Sequence, residues 1–177
     1  LRDYICKPNG VKHIQEDIKT IEQDENGIKS LNKKYKADLF IDCTGFKALL
    51  MDKTLKEPFD SYTDLLPNNS AWATRMPYKN KKKQLVPYTN CTAIENGWVW
   101  NIPLWSRIGT GYVYSDKFVD DDTALKQLQK HIGTKDLEFR NIKMRTGLHR
   151  RLWVKNVATI GLAAGFIEPL ESNGLFS

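Results

Sequence analysis

Residues 161–174 place small side chains directly before a segment that could bind an anion. The glycines and alanines between positions 161 and 165 leave the backbone open to a flat ligand, because they carry almost no side chain. Pro169 suits the first position of a helix, and Ser172 to Gly174 would expose free N–H groups of its first turn, which attract anions. The stretch therefore predicts a site for a flat ligand beside an anion.

The same spacing also fits an ordinary α/β protein without a site. An apolar strand over Val157 to Ile160 would then lead through a glycine-rich turn into a helix, with Glu168 and Glu171 as first-turn acids. Spacing alone leaves both interpretations open.

A second strand is predicted to end in a similar turn. The run from Ala37 to Ile41 is too continuously apolar to be half exposed, and it leads straight into Asp42-Cys43-Thr44-Gly45. A strand that ends in a small-residue turn is a common position for a ligand, and a tight turn that requires Gly45 is the alternative.

The remaining elements are predicted from alternation, turn residues and helical spacing. Asn26-Gly27 predicts a hairpin, and three antiparallel strands are expected over 88–94, 97–102 and 109–115. Trp98 and Trp100, two residues apart, would face the same side of this aromatic sheet. The acids at 120–122 open a helix with an apolar stripe, which Gly133 ends.

Composition narrows the class of protein. The chain has 177 residues with 41% hydrophobic and 27% charged, as is typical of one globular core. No apolar run is long enough to span a membrane, and three scattered cysteines favour a reducing cytoplasm over a disulfide framework. His13, His131 and His149 lack metal-ligand spacing, so no metal site is predicted.

The net charge of +6 could indicate an acidic partner, but much of it lies in one lysine-rich run at 79–83. No aromatic residues interleave with these lysines, so we expect a solvated loop and no nucleic-acid partner.

Two rare strings carry a family resemblance. Residues 165–172 read Gly-Phe-Ile-Glu-Pro-Leu-Glu-Ser, and residues 97–103 read Gly-Trp-Val-Trp-Asn-Ile-Pro. They resemble the Glu-Pro-Leu-Glu-Ser-Thr-Gly and Trp-x-Trp-x-Ile-Pro motifs of flavin-dependent tryptophan halogenases. The segments 37–46 and 107–115 are also similar to that family, so the resemblance covers nearly the whole chain.

The resemblance implies an α/β (α+β) chain with the flavoprotein monooxygenase-like FAD-binding fold, in which a mixed sheet joins an antiparallel aromatic one. FAD would contact Thr44 and Gly45 at one turn and Gly161 and Leu162 at the other. Related monooxygenases carry Gly-Asp-Ala-Ala at the second turn, whereas this chain has Gly-Leu-Ala-Ala at 161–164, which favours a halogenase.

The implied reaction uses reduced FAD, supplied by a flavin reductase, with oxygen and halide to halogenate an aromatic small molecule such as tryptophan or another indole. Glu171 matches the family's catalytic glutamate, and Asn173 and Gly174 match its halide site, with asparagine where threonine is typical. A carboxylate suits ring substitution, because the positively charged intermediate must lose a proton. Trp98 and Trp100 would separate the flavin from the substrate.

Three family features are missing from this sequence: the Gly-x-Gly-x-x-Gly fingerprint for the FAD pyrophosphate, the catalytic lysine, and the C-terminal helices that cover the substrate. We therefore expect residues 1–177 to be a single incomplete FAD-binding domain, inactive alone and of undetermined oligomeric state. Two alternatives remain, a flavin hydroxylase or dehydrogenase of the same fold and a non-catalytic basic binding module.

Overall fold

The computed structural model describes residues 1–167, which form short helices and four β-sheets. Within this described part of the chain, the α-helices are α1 (Lys81–Gln84) and α2 (Asp121–Ile132). Tighter or wider helical turns cover Arg2–Cys6, Gly45–Lys47, Leu49–Thr54 and Gly161–Ala163. The strands are β1 (Ile21–Asp24), β2 (Gly27–Leu31), β3 (Phe40–Asp42), β4 (Phe59–Ser61), β5 (Ser70–Met76), β6 (Asn90–Ile94), β7 (Gly97–Pro103), β8 (Ile108–Tyr114), β9 (Arg140–Lys143), β10 (Gly147–His149), β11 (Trp153–Val154), β12 (Val157–Thr159) and β13 (Gly165–Phe166).

The largest sheet is antiparallel and has the strand order β6-β7-β8-β5-β9. It contains all three strands that alternation predicts, and the turn at Glu95-Asn96 joins β6 to β7. Successive side chains of a strand point to opposite faces, so each face of this sheet has its own set of residues. The prediction of an antiparallel aromatic sheet is therefore confirmed.

Helix α2 covers one face of this sheet. The Asp120 side chain caps the helix by accepting from the Thr123 N–H at 2.9 Å, and Gly133 ends it with a left-handed backbone, φ 75°. Tyr114 donates to the Asp121 carboxylate at 2.6 Å, which fixes the helix start on the sheet. The buried core between helix and sheet comprises Val99, Tyr112, Tyr114, Val119, Ala124 and Leu128.

A smaller mixed sheet has the order β11-β12-β3, in which β3 and β12 are parallel. Its covered face packs against the β1–β2 hairpin and the helical turn Leu49–Thr54. The core there comprises Ile28, Phe40, Leu50, Met51, Val154 and Val157.

The prediction of a fully buried strand over Ala37 to Ile41 was wrong. The strand is Phe40–Asp42, and its side chains alternate, with Phe40 and Asp42 buried and Ile41 57% exposed. The hairpin and the helical turn pack against only one face of the sheet, so the intervening side chain lies on the other.

The lysine-rich run differs in part from its prediction. It forms the short helix α1 instead of an irregular loop, because the Asn80 side chain accepts from the Lys83 N–H and caps it. Its lysines are nevertheless exposed, as expected. None of the helices within residues 1–167 has the length and apolarity to cross a membrane.

Candidate functional site

The two predicted cofactor turns lie side by side in the structure. Strands β3 and β12 run in the same direction, and Asp42 and Thr159 are their last paired residues. Each strand leads into a 3-10 turn, Gly45–Lys47 after β3 and Gly161–Ala163 after β12, and the two turns contact each other. Ligands of α/β proteins commonly bind at the carboxyl ends of parallel strands, where these turns lie.

Both turns present open backbone at a glycine. Gly45 has φ +66° and Gly161 has φ +61°, left-handed conformations that glycine adopts without strain. A Cβ atom built at either position meets no other atom within 4 Å, so the space above both glycines is free. Thr44 and Leu162 are exposed beside them. The structure thus brings the four predicted FAD contacts together in an arrangement that fits a flat group.

One residue of this site was missed by the sequence reasoning. Asp42 is 1% exposed, and its carboxylate accepts from the Thr44 N–H at 3.0 Å and the Thr44 hydroxyl at 2.7 Å. Its second oxygen accepts from the N–H groups of Leu50 at 2.8 Å and Met51 at 3.0 Å. A charged residue at the end of an apolar strand was the available signal, because a buried carboxylate requires several donors.

Trp98 and Trp100 share one face of β7, as predicted, with ring centroids 6.1 Å apart and planes at 60°. They lie on the face opposite α2, because Val99 between them belongs to the core under the helix. Both rings are half-buried. The pair therefore forms an aromatic surface separate from the main core, and its role between flavin and substrate stays a prediction.

Gly111 determines how closely the Trp100 ring can approach the sheet. It pairs with Trp100 on the neighbouring strand β8, and the ring lies over it. A Cβ atom at Gly111 would overlap the Trp100 ring and the Trp72 carbonyl oxygen. Only glycine leaves room for this arrangement.

We expect Gly111→Ala to destabilise the chain by about 1–3 kcal/mol, since overpacking forces neighbouring groups to move. Thermal and denaturant unfolding would measure the change. Gly109→Ala is the matched control, because a Cβ there lies 3.9 Å from its nearest neighbour, the Ile102 carbonyl oxygen. Equal stability losses in both variants would contradict the inference that the Trp100 ring requires glycine at position 111.

The segment that leads into the predicted catalytic motif is paired with β10. The His149 N–H donates to the Ala164 carbonyl oxygen at 3.0 Å, and β10 pairs with β13 through Gly147 and Phe166. His149 itself is buried, with Nδ1 3.2 Å from the Glu57 carbonyl oxygen. The start of the motif is thus attached to a packed strand.

Two ion pairs flank β10. Arg151 donates to the Glu57 carboxylate from Nη2 at 2.6 Å and from Nε at 3.0 Å. These hydrogen bonds hold the pKa of the Glu57 carboxyl below its usual value, although burial acts to raise it. Arg145 donates to Asp52 at 2.6 Å. Burial acts to raise the pKa of Asp52, but the hydrogen bond from Arg145 and the charges of Arg145 and other neighbours such as Lys53 together lower it. Both acids therefore stay ionised and paired with arginine.

The predicted catalytic and halide residues, Glu171, Asn173 and Gly174, lie outside the described residues, so their roles stay predictions. Among residues 1–167, no group of three or more His, Cys, Asp or Glu side chains is arranged to hold a metal ion.

Comparison with known proteins identifies relatives over the whole chain. A family model described as tryptophan halogenase matches residues 1–177. The 7-chloro-L-tryptophan 6-halogenase KtzR of Kutzneria sp. (strain 744) is 41% identical over 94% of this chain and 34% of its own length. The tryptophan 7-halogenase RebH of Lentzea aerocolonigenes is 38% identical over 99% of this chain and 34% of its own.

The fold agrees with solved structures of such proteins. The crystal structure of the tryptophan 6-halogenase SttH from Streptomyces toxytricini superposes with a TM-score of 0.90, at 41% identity, over 96% of this chain and 35% of that one. The chain spans about a third of the length of the curated relatives it matches.

Proposed function

The chain belongs to the tryptophan halogenase family, and from this we propose that it is part of a flavin-dependent halogenase acting on an electron-rich aromatic substrate, such as tryptophan or another indole. The observation that carries the proposal is the pair of adjacent turns with open backbone at Gly45 and Gly161. A flat cofactor at the ends of two parallel strands needs this free space.

Thr44 and Gly45 on one turn, and Gly161 and Leu162 on the other, would hold FAD. When bound, reduced FAD, which a separate flavin reductase would deliver, would supply two electrons to oxygen, so that one oxygen atom would leave as water and the other would oxidise halide to hypohalous acid. The backbone around Gly45 and Gly161 would approach the cofactor closely, since no side chain stands in the way. Leu162 is exposed, so its backbone would contact FAD, and its own apolar side chain would exclude water from the cofactor.

Other residues would serve the halide and the substrate. Asn173 and Gly174 would bind halide, and Glu171 would stabilise the positively charged ring intermediate and accept its proton. The surface formed by Trp98 and Trp100 would stand between the flavin and the aromatic substrate. All three cysteines are free thiols, in keeping with a reducing cytoplasm as the site of action.

Halide-dependent product formation tests this proposal in the full-length enzyme. Incubation with reduced FAD, oxygen, tryptophan and chloride or bromide should give a halogenated product, detected by mass spectrometry. Hydroxylated product without halide dependence would favour the monooxygenase alternative. Salt-sensitive binding of nucleic acid, with no flavin binding, would favour the basic module.

A second test uses the 177-residue chain alone. Without the glycine-rich pyrophosphate fingerprint, it should bind FAD weakly and release no halogenated product, because much of the cofactor's binding energy would be absent. Flavin fluorescence titration of the chain beside the full-length enzyme measures the difference. Submicromolar affinity of the chain alone would show that the missing fingerprint matters less than proposed.

A further inference from the structure

We propose that Asp42 is a positioning residue for FAD. Its buried carboxylate and its main-chain carbonyl oxygen together fix the two turns relative to each other. The inference rests on the proposed function, because the turns matter for FAD only if FAD binds there. Asp42 itself is 1% exposed, so it acts through other residues.

The carboxylate determines the shape of the first turn. One oxygen holds the backbone and hydroxyl of Thr44, and the other holds the N–H groups of Leu50 and Met51. These partners lie before and after the 3-10 turn Gly45–Lys47. Asp42 therefore fixes both ends of the segment that carries Gly45.

The Thr44 hydroxyl extends this network. It donates to the Asp42 carboxylate at 2.7 Å and accepts from the Leu49 N–H at 2.7 Å. Because its proton is already committed to Asp42, the hydroxyl cannot also donate to a cofactor. Thr44 would thus serve FAD mainly through its position and its backbone.

The carbonyl oxygen of Asp42 holds the second turn. It accepts from the Ile160 N–H at 3.2 Å and lies 3.4 Å from the Thr159 hydroxyl. Ile160 directly precedes Gly161, whose open backbone forms the other half of the proposed FAD surface. A shift at Asp42 would therefore change the spacing of Gly45 and Gly161.

Only a carboxylate satisfies all four donors at this position. Asparagine has nearly the same shape, but its amide nitrogen would face either the Thr44 pair or the N–H groups of Leu50 and Met51. Buried donors would then lose their acceptor, and the turn would have to rearrange.

Asp42→Asn in the full-length enzyme tests the inference, with Asp121→Asn as the matched control. Asp121 also accepts two side-chain hydrogen bonds, from Tyr114 and Lys143, but it lies at the start of α2 on the large sheet. Flavin fluorescence titration of the apo enzyme gives FAD affinity, and thermal melting gives stability. We expect Asp42→Asn to weaken FAD binding at least about tenfold, which is in the range of typical coupling between sites. Asp121→Asn should lower the melting temperature without weakening FAD binding.

A second variant covers the case in which Asp42→Asn does not fold. Thr44→Val removes the hydroxyl that links Asp42 to Leu49 at almost constant volume, whereas Thr44→Ser retains it. We expect Thr44→Val to weaken FAD binding and to speed hydrogen exchange at the Leu50 and Met51 amides in the apo enzyme. Thr44→Ser, which keeps the hydroxyl, should leave both FAD affinity and amide exchange unchanged.

Gly45→Asn separates this inference from the proposed function, because asparagine tolerates left-handed backbone and its side chain would fill the space above the turn. If Gly45→Asn weakens FAD binding while Asp42→Asn and Thr44→Val leave it unchanged, the role of Asp42 is refuted and the FAD site stands. If none of the three variants changes FAD binding, both the site and the role of Asp42 are refuted.

Discussion

Glu171→Gln in the full-length enzyme should slow halogenation by about 10²–10⁴-fold, the usual contribution of a positioned acid or base. Glutamine retains the size of glutamate and much of its hydrogen bonding, but it has neither the negative charge nor the ability to accept a proton. Oxidation of the reduced flavin should continue, since Glu171 is proposed to act on the aromatic ring. A first-turn acid without a catalytic role would contribute only about 0.3–1 kcal/mol of stability.

The measurement pairs rapid-mixing absorbance of the reduced flavin and oxygen with mass spectrometry of the aromatic product. Glu168→Gln is the matched control, because it makes the same chemical change three residues earlier in the motif. A normal halogenated yield from Glu171→Gln would refute the catalytic assignment. Loss of flavin oxidation would instead assign Glu171 to the flavin or halide site.

The elements that the sequence predicted well are those that local patterns determine. Helix α2 has its N-cap Asp120, its apolar stripe and its C-cap Gly133 within one continuous segment. Strands β6, β7 and β8 follow one another and pair in chain order, so alternation and turns suffice to find them. The shared face of Trp98 and Trp100 follows from the same alternation.

The parallel pairing of β3 with β12 was harder to predict because the two strands are distant in sequence. Pairing of Asp42 with Thr159 joins segments more than one hundred residues apart, and no local pattern specifies it. The exposure of Ile41 depends on which face the β1–β2 hairpin covers. Strands of two or three residues, such as β10 and β13, are too short to show alternation.

The candidate site shows the same division between local and distant determinants. The glycines at 45 and 161 are visible in sequence as small-residue turns, and the structure places their open backbone together. The function of Asp42 was not visible, because its donors at Leu50 and Met51 reach it only after the chain turns back. Residues that organise a turn are therefore harder to find than residues that line it.

Trp100→Ala in the full-length enzyme should strongly reduce halogenated product while leaving a folded enzyme that binds FAD. Trp100 is half-buried and faces away from α2, so its loss removes an aromatic surface without opening the main core. If the Trp98–Trp100 surface separates the flavin from the substrate, hypohalous acid would then reach solvent instead of the aromatic ring. A dye that reacts with free hypohalous acid should detect this escape.

Trp72→Ala is the matched control for the loss of a tryptophan from the same sheet. Trp72 packs on the helix side, and its Nε1 donates to the Asp121 carbonyl oxygen at 2.8 Å. Its removal should cost about 3–5 kcal/mol, the usual effect of truncating a packed tryptophan. Trp100→Ala should therefore lose product with a smaller fall in melting temperature than Trp72→Ala shows, because the Trp100 ring packs on Gly111 but lies outside the main core. A fall in stability as large as that of Trp72→Ala would instead make Trp100 a core residue, with no separate role in directing the halogenating agent.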